Sequence, residues 1–232
     1  PTAVDGIPLI ATNCVDNNNL YPVFRNIRFV SEDTYQNWFR SHPKEGDILI
    51  TLKGSQNGAV CLVPKKVGFT IAQDMVSLRV DSSKIYHLYL FAALRSRDIQ
   101  HQIKTLDVSG VIPHLKKTDF DKLLIPYPEK NTQKIIGDLY YSLSLKAEHL
   151  KAQNKTLETM AQTIFKEWFG KYQVGDELPE GWKVGKLGDI AKHVKNNIKP
   201  FDNPNKLYHH YSLPAYDDGL RPVNELGSDI KS

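Results

Sequence analysis

Asn131-Thr132-Gln133-Lys134-Ile135-Ile136-Gly137-Asp138-Leu139-Tyr140-Tyr141-Ser142-Leu143-Ser144-Leu145-Lys146-Ala147-Glu148-His149-Leu150, continued through Leu157 and Ile164 to Phe169, is the stretch that decides how this chain is built. Ile136, Leu143, Leu150, Leu157 and Ile164 recur every seven residues, with Tyr140, Ala147, Ala161 and Trp168 standing four positions after members of that series. A seven-residue apolar repeat marks an amphipathic helix whose stripe lies against another helix. The pattern predicts one long helix over 131–170, roughly 55 to 60 Å at 1.5 Å per residue. That exceeds what one small domain covers, so the stripe of Ile136, Leu143, Leu150, Leu157, Ile164 and Trp168 is expected to meet a partner helix. The competing reading is a helix lying across its own domain. Lys146, Gln153 and Asn154 interrupt the seam, which weakens an indefinite zipper and can fix register instead.

Upstream, residues 1–130 alternate short apolar runs with turn signals, the pattern of a mixed domain with short strands. Gly46-Asp47-Ile48-Leu49-Ile50-Thr51-Leu52 reads as a turn entering a strand, and Gly58-Ala59-Val60-Cys61-Leu62-Val63 as the strand after it. The polar loop between them, Lys53-Gly54-Ser55-Gln56-Asn57, reads equally well as a plain hairpin connection or as a contact loop. Asp81-Ser82-Ser83-Lys84 reads as a helix start, followed by Ile85, Leu88, Tyr89, Ala92 and Leu94 at helical spacing. Downstream, Gly170 stops the long helix, 171–181 forms a linker through Gly175 and Pro179-Glu180-Gly181, and 182–232 begins a new unit. The fold class expected is α+β: a mixed globular domain with short strands and flanking helices, followed by a long amphipathic, coiled-coil-like helix. Pro1-Thr2-Ala3-Val4-Asp5-Gly6 lacks signal-peptide character, and the unit after residue 181 looks interrupted at Ser232, so the chain is expected to be an internal piece of a longer one.

Composition narrows the class. The chain has 232 residues, 41% hydrophobic and 24% charged, as ordinary globular domains have. It contains no run of about 18 apolar residues, so no membrane span is expected. Cys14 and Cys61 have no CxxC or Cys/His context, which points to reduced, structural thiols in the cytoplasm and to no metal. The net charge of +4 permits a nucleic-acid partner without demonstrating one. No catalytic constellation stands out in the sequence. Ile125-Pro126-Tyr127-Pro128 only loosely resembles the Asn/Asp-Pro-Pro-aromatic run of DNA amino-methyltransferases, lacking its amide or carboxylate, and no glycine-rich turn for S-adenosylmethionine precedes it. Asp119, Asp121 and Lys122 read as solvated charge on a helix rather than a nuclease triad, and His209-His210 as an exposed strand segment. No enzyme activity and no cofactor are expected.

Several stretches in order resemble the specificity subunits of Type I restriction–modification systems. Asp5-Gly6-Ile7-Pro8-Leu9-Ile10 is similar to the early strand of a target recognition domain, and Gly46-Asp47-Ile48-Leu49-Ile50-Thr51 with Gly54 and Gly58 to its central strand and loop. Ser109-Gly110-Val111-Ile112-Pro113-His114-Leu115 followed by Ile125-Pro126-Tyr127-Pro128 resembles the pattern that closes that domain, and Lys130-Asn131-Thr132-Gln133 keeps the Gln that enters the helix. Leu178-Pro179-Glu180-Gly181-Trp182, Val184 and Leu187-Gly188-Asp189-Ile190 resemble the start of the next recognition domain. Lys206–Ser232 resembles a second copy of Thr2–Asp33, with Tyr211-Ser212-Leu213-Pro214 standing where Gly6-Ile7-Pro8-Leu9 stands.

The resemblance implies a sequence-specific, non-catalytic DNA-binding subunit. It would read part of a bipartite double-stranded target and dock methyltransferase (modification) subunits, and through them the restriction subunit. Residues 1–130 would be one target recognition domain lacking its opening strand, 131–170 the spacer helix and 182–232 the beginning of a second. In this fragment the helix seam is expected to pair with a second copy. DNA contacts are expected from Lys53, Gly54, Ser55, Gln56 and Asn57, where a cation can meet phosphate and amides can meet adenine. A second group, Ser109, Gly110, His114, Lys116 and Lys117, combines exposed backbone with cations, and can equally be a solvated face. Arg25 and Arg28, flanking Phe24 and Phe29, are further candidates that can equally be surface packing. A helical scaffold that only oligomerises is the rival reading, with a DNA methyltransferase fragment behind it. A basic, aromatic-rich concave face on the first domain would favour DNA over the scaffold.

Overall fold

Strands β1 (Ile7–Ile10), β2 (Arg28–Val30), β3 (Ile48–Thr51), β4 (Val60–Leu62), β5 (Thr70–Ile71) and β6 (Met75–Leu78) build two small sheets in the first half of the chain. The computed structural model describes residues 3–39, 42–107, 112–173, 175–211, 213, 217, 219 and 221–230. One sheet has the order β2-β1-β5, antiparallel then parallel, and the other β4-β3-β6, antiparallel throughout. Gly46, at φ +79°, turns the chain into β3, the strand expected there, and all four residues of β3 are buried. They read as a continuous apolar run because both faces of β3 are covered. Ile48 and Ile50, with Val60 and Leu62, face a core shared with Leu88, Phe91, Leu94, Ile99 and Ile103. Leu49 and Cys61 face a second core with Ile10, Cys14, Val15, Phe69 and Ile71. Both thiols are therefore buried and free, and burial raises the Cys61 thiol far above its ordinary value.

Polar side chains fix this sandwich where the strands end. Asp47 is buried and accepts from the Lys44 N–H (2.9 Å), Ser77 Oγ (2.9 Å) and Arg79 Nε (3.0 Å). Burial raises its carboxyl, but the hydrogen bonds from Arg79, Lys44 and Ser77 outweigh that and hold it below its ordinary 3.8. Arg95 donates to the carbonyls of Val60 (2.9 Å) and Asn19 and lies over the Phe91 ring at 4.4 Å, joining a loop, a strand and a helix.

Helix α1 (Glu32–Trp38) follows β2 and buries none of its residues, while α2 (His87–Leu94) and α3 (Arg97–Leu106) cover the β4-β3-β6 sheet. Helix α2 begins later than the sequence reading placed it, because Asp81 accepts from both the N–H and the hydroxyl of Ser83 (3.0 and 2.6 Å), closing a turn instead. Ser96 caps α3 through the Ile99 N–H at 3.3 Å.

The long helix is present as α4 (Lys130–Phe169), 40 residues without a break. Its first half is part of the first domain's core. Gln133, 1% exposed, donates to the Pro128 carbonyl (2.7 Å) and accepts from the Tyr86 N–H (2.9 Å). At Gly137 a Cβ would lie 2.7 Å from the Tyr89 backbone nitrogen, so only glycine lets α4 approach α2 this closely. Tyr140 packs edge-on against Phe91 at 5.7 Å, Tyr141 shares a 3.1 Å hydroxyl contact with Tyr21, and Glu148 accepts from the Leu20 N–H at 3.2 Å. From Ala152 onward every residue of the helix is exposed.

The chain divides into two compact units, Pro1–Trp168 and Phe169–Ser232. The first therefore takes in most of the long helix, which the sequence reading had set apart from 1–130, because Gln133, Gly137, Tyr140 and Tyr141 pack on the sheet domain. In the second unit, Phe169 stacks on Trp182 at 5.4 Å, a four-residue helix α5 (Leu187–Ile190) follows, and β7 (Leu207–His210) pairs antiparallel with β8 (Val223–Leu226). The paired strand thus precedes the Tyr211–Pro214 stretch expected to match β1. Ser212 and Pro214 of that stretch lie outside the described residues.

Candidate nucleic-acid interface

The loop between β3 and β4 is held from below and from the side. Gly54 has φ +89°, and the Asn57 N–H closes the turn on the Gly54 carbonyl at 2.9 Å. Thr51 Oγ1 accepts from the Ala59 N–H at 3.0 Å and donates to the Gln56 carbonyl. The second candidate group comes to the same place. Lys53 and His114 form an antiparallel bridge, the Gly54 N–H donates to the Pro113 carbonyl (3.0 Å), and the Leu115 N–H to the Leu52 carbonyl (2.8 Å). Two segments read separately in the sequence thus form one ladder, with Lys53, Ser55, His114, Lys116 and Lys117 exposed along it. Ser109 and Gly110 lie outside the described residues.

The ladder sorts its polar side chains. Asn57 Oδ1 accepts from the Leu115 N–H at 3.1 Å, so that amide holds the two segments together. Asp119 is buried beside the ladder, accepting from Lys122 Nζ (2.9 Å) and the Lys116 N–H (3.0 Å). The Lys122 hydrogen bond holds the Asp119 carboxyl below its ordinary value. Asp119 and Lys122 are thereby a structural pair, whereas the ammonium groups of Lys53, Lys116 and Lys117 have no carboxylate partner among the described residues.

A cleft of about 730 Å³ opens next to the ladder. Arg28 of β2, Thr34 and Trp38 of α1, the Gln73-Asp74 turn and Lys117 line it. Its position follows from local chemistry. Ser31 caps α1 by accepting from the Thr34 N–H at 3.2 Å, which sets the helix beside β2. The turn carrying Gln73 and Asp74 is tied at both ends, by the Ala72 N–H to the Ile10 carbonyl and the Leu52 N–H to the Asp74 carbonyl, each 2.8 Å. This concavity joins two cations and an exposed Trp38, with Asp74 its acidic residue. Of these residues Arg28 and Lys117 are candidates from sequence, whereas Trp38, Thr34 and Gln73 join them only in the fold. Arg25 does not join them: it lies 3.6 Å from Asp16.

A different surface runs along α4. Ile136, Leu143, Leu150, Leu157, Ile164 and Trp168 are between 42 and 65% exposed, and Leu139 and Met160 extend the same stripe. Among the described residues no His/Cys/Asp/Glu group could hold a metal. His210 instead meets Glu225 across the β7–β8 pair at 2.7 Å. No described helix is long and apolar enough to cross a membrane.

The first unit is thus an α+β domain of short strands from which one long helix with an exposed apolar stripe continues. A solved S subunit of a Type I restriction–modification system from M. genitalium shares that fold, with a TM-score of 0.50 at 16% identity over 75% of this chain and 44% of that one. The Type I restriction modification DNA specificity domain matches residues 4–159, and the chain belongs to that family. Among curated relatives, the MjaIX specificity subunit of Methanocaldococcus jannaschii is 26% identical over 207 residues, 84% of this chain and 47% of the relative. The MjaVIII specificity subunit of the same organism is 28% identical over 157 residues, 63% of this chain and 36% of the relative. The chain thus spans about half or less of the length of these relatives.

Proposed function

We propose that this chain is a DNA-reading part of a Type I specificity subunit. The Lys53–Asn57 loop and the His114–Lys117 segment contact one portion of a split double-stranded target, and chemistry is left to partners. One observation carries the reading: the Lys53–His114 ladder makes one continuous basic edge from two candidate segments, and that edge runs through Lys117 into the cleft that holds Arg28. Unpartnered cations beside an exposed aromatic suit phosphate contact with bases nearby, which a bare oligomerising scaffold does not need. In the cytoplasm the subunit docks methyltransferase subunits, and through them the restriction subunit. Residues 1–130 act as the target recognition domain, 131–170 as its spacer, and 182–232 as the opening of a second recognition domain after the 171–181 linker.

The stripe on α4 supports a helix pair. Its positions from Ile136 to Ile164 are spaced symmetrically about Leu150, so an antiparallel second copy lays apolar residues on apolar residues along the whole helix. The test is a binding selection on randomised duplexes with the cognate methyltransferase subunit present. Enrichment of one motif, with an affinity that falls as salt rises, is the expected result. Helix pairing by the chain without any enrichment would instead favour the scaffold.

A further inference from the structure

The cleft beside the ladder contains a carboxamide whose setting differs from those in the loop. Asn57 is engaged by the Leu115 N–H. Gln73 is exposed, and its side chain makes no hydrogen bond among the described residues. Its backbone is nevertheless held still, since the neighbouring Ala72 N–H and Asp74 carbonyl are bonded to β1 and to the end of β3 at 2.8 Å each. An uncommitted amide on a fixed turn suits base recognition, because both of its hydrogen-bonding groups are available and the backbone that carries it needs no further ordering. The groups around it divide by chemistry. Among the described residues Arg28 and Lys117 have no carboxylate partner, and Trp38, 74% exposed, lines the same cleft.

We infer that this cleft is a base-reading subsite, in which Gln73 makes paired hydrogen bonds to an adenine edge while Arg28 and Lys117 hold the flanking phosphates. The inference rests on the DNA-reading function proposed above and places a specificity-determining residue outside the Lys53–Asn57 loop. Glutamine donates to one and accepts from the other of the two adjacent groups on the major-groove edge of adenine. The two cations meet the backbone that any sequence presents, and so set position rather than preference. Trp38 offers a flat apolar face to a sugar or base. Asp74, the carboxylate lining the same cleft, disfavours a phosphate next to Gln73 and tolerates a base edge there, since base amino groups donate to carboxylates.

The experiment is the same selection on randomised duplexes, with the methyltransferase subunit present, using the wild-type chain, Gln73→Ala, Gln73→Glu and Arg28→Ala/Lys117→Ala. Circular dichroism checks folding, which these exposed positions leave intact. Gln73→Ala is expected to lose preference at one base pair and to weaken cognate binding about 10- to 100-fold, with non-specific binding unchanged. Gln73→Glu is expected to move the preference at that base pair toward C·G. The double variant is expected to lower affinity for all sequences and flatten the salt dependence. An unchanged motif with both Gln73 variants overturns the subsite. If the motif then changes with Lys53→Ala/Gln56→Ala, DNA reading stands and only the cleft falls. A wild-type chain that selects no motif overturns both.

Discussion

Between Lys130 and Lys151 the long helix has two occupied or occupiable faces, whereas between Ala152 and Phe169 it is exposed all round. The same seven-residue repeat runs through both halves. In the first half, Gln133, Gly137, Tyr141 and Glu148 bind the helix to the sheet domain, and the repeat is left facing outward. The domain therefore fixes the helix by polar bonds together with close packing of Gly137, Tyr140, Tyr141 and Leu145, and the heptad residues from Ile136 to Ile164 remain exposed. In the function proposed above, a recognition domain joined to the helix in this way holds its distance from whatever binds the far end, as half-site spacing is fixed in dimeric DNA binders. In the second half the stripe continues through Leu157, Ile164 and Trp168, all exposed.

The largest way to break this contrast is Gly137→Val. Its Cβ would sit 2.7 Å from the Tyr89 nitrogen and 2.9 Å from the Leu88 carbonyl carbon, both backbone atoms that cannot swing aside. A loss of about 3 kcal/mol is expected in urea denaturation, against less than about 0.5 kcal/mol for the exposed Ala161→Val. Gln133→Ala comes next. It strips the Tyr86 N–H and Pro128 carbonyl of their partner in a buried place, at a cost of about 2 kcal/mol in the same measurement.

Acid sharpens the comparison more gently. Asp138 accepts from Lys134 (2.8 Å) and from the Tyr86 hydroxyl (2.7 Å), and these bonds, Lys134 first, hold its carboxyl below 3.8. Because the folded value lies below the unfolded one, this contact contributes fully above the unfolded value and is lost as pH falls through the folded one. Stability measured from pH 6 downward is expected to drop more steeply below about pH 4 for the wild type than for Asp138→Asn. The smallest effect on folding belongs to Leu157→Glu in the projecting half, within about 0.5 kcal/mol. Sedimentation of the same variant is expected to show loss of helix pairing, the readout on which the two halves differ most.

The central strand and the long helix were legible because each rests on one period: the run Ile48–Thr51 behind Gly46, and the heptads from Ile136 to Ile164. Docking of the helix on its own domain was not, since Tyr140, Tyr141 and Leu145 pack on the core beside Gln133, Gly137 and Glu148, and those last three carry no apolar signal. The residues named for DNA contact were only partly grouped by the chain. Lys53 and His114 meet through a backbone ladder between positions far apart in sequence, which leaves no local pattern. The cleft escaped notice because Trp38 and Gln73 sit in unremarkable stretches and gain meaning only when α1 packs beside β2. Gln133 was placed by resemblance alone, and the structure supplies its physical role.

The measurement that tests the account most directly is the sequence selection itself, run with the methyltransferase subunit for the wild-type chain and for Lys53→Ala/Lys117→Ala. The account expects a single enriched motif for the wild type and binding weakened across all sequences for the variant, with a smaller dependence on salt. No enriched motif, or an affinity indifferent both to salt and to the loss of these two lysines, would contradict it.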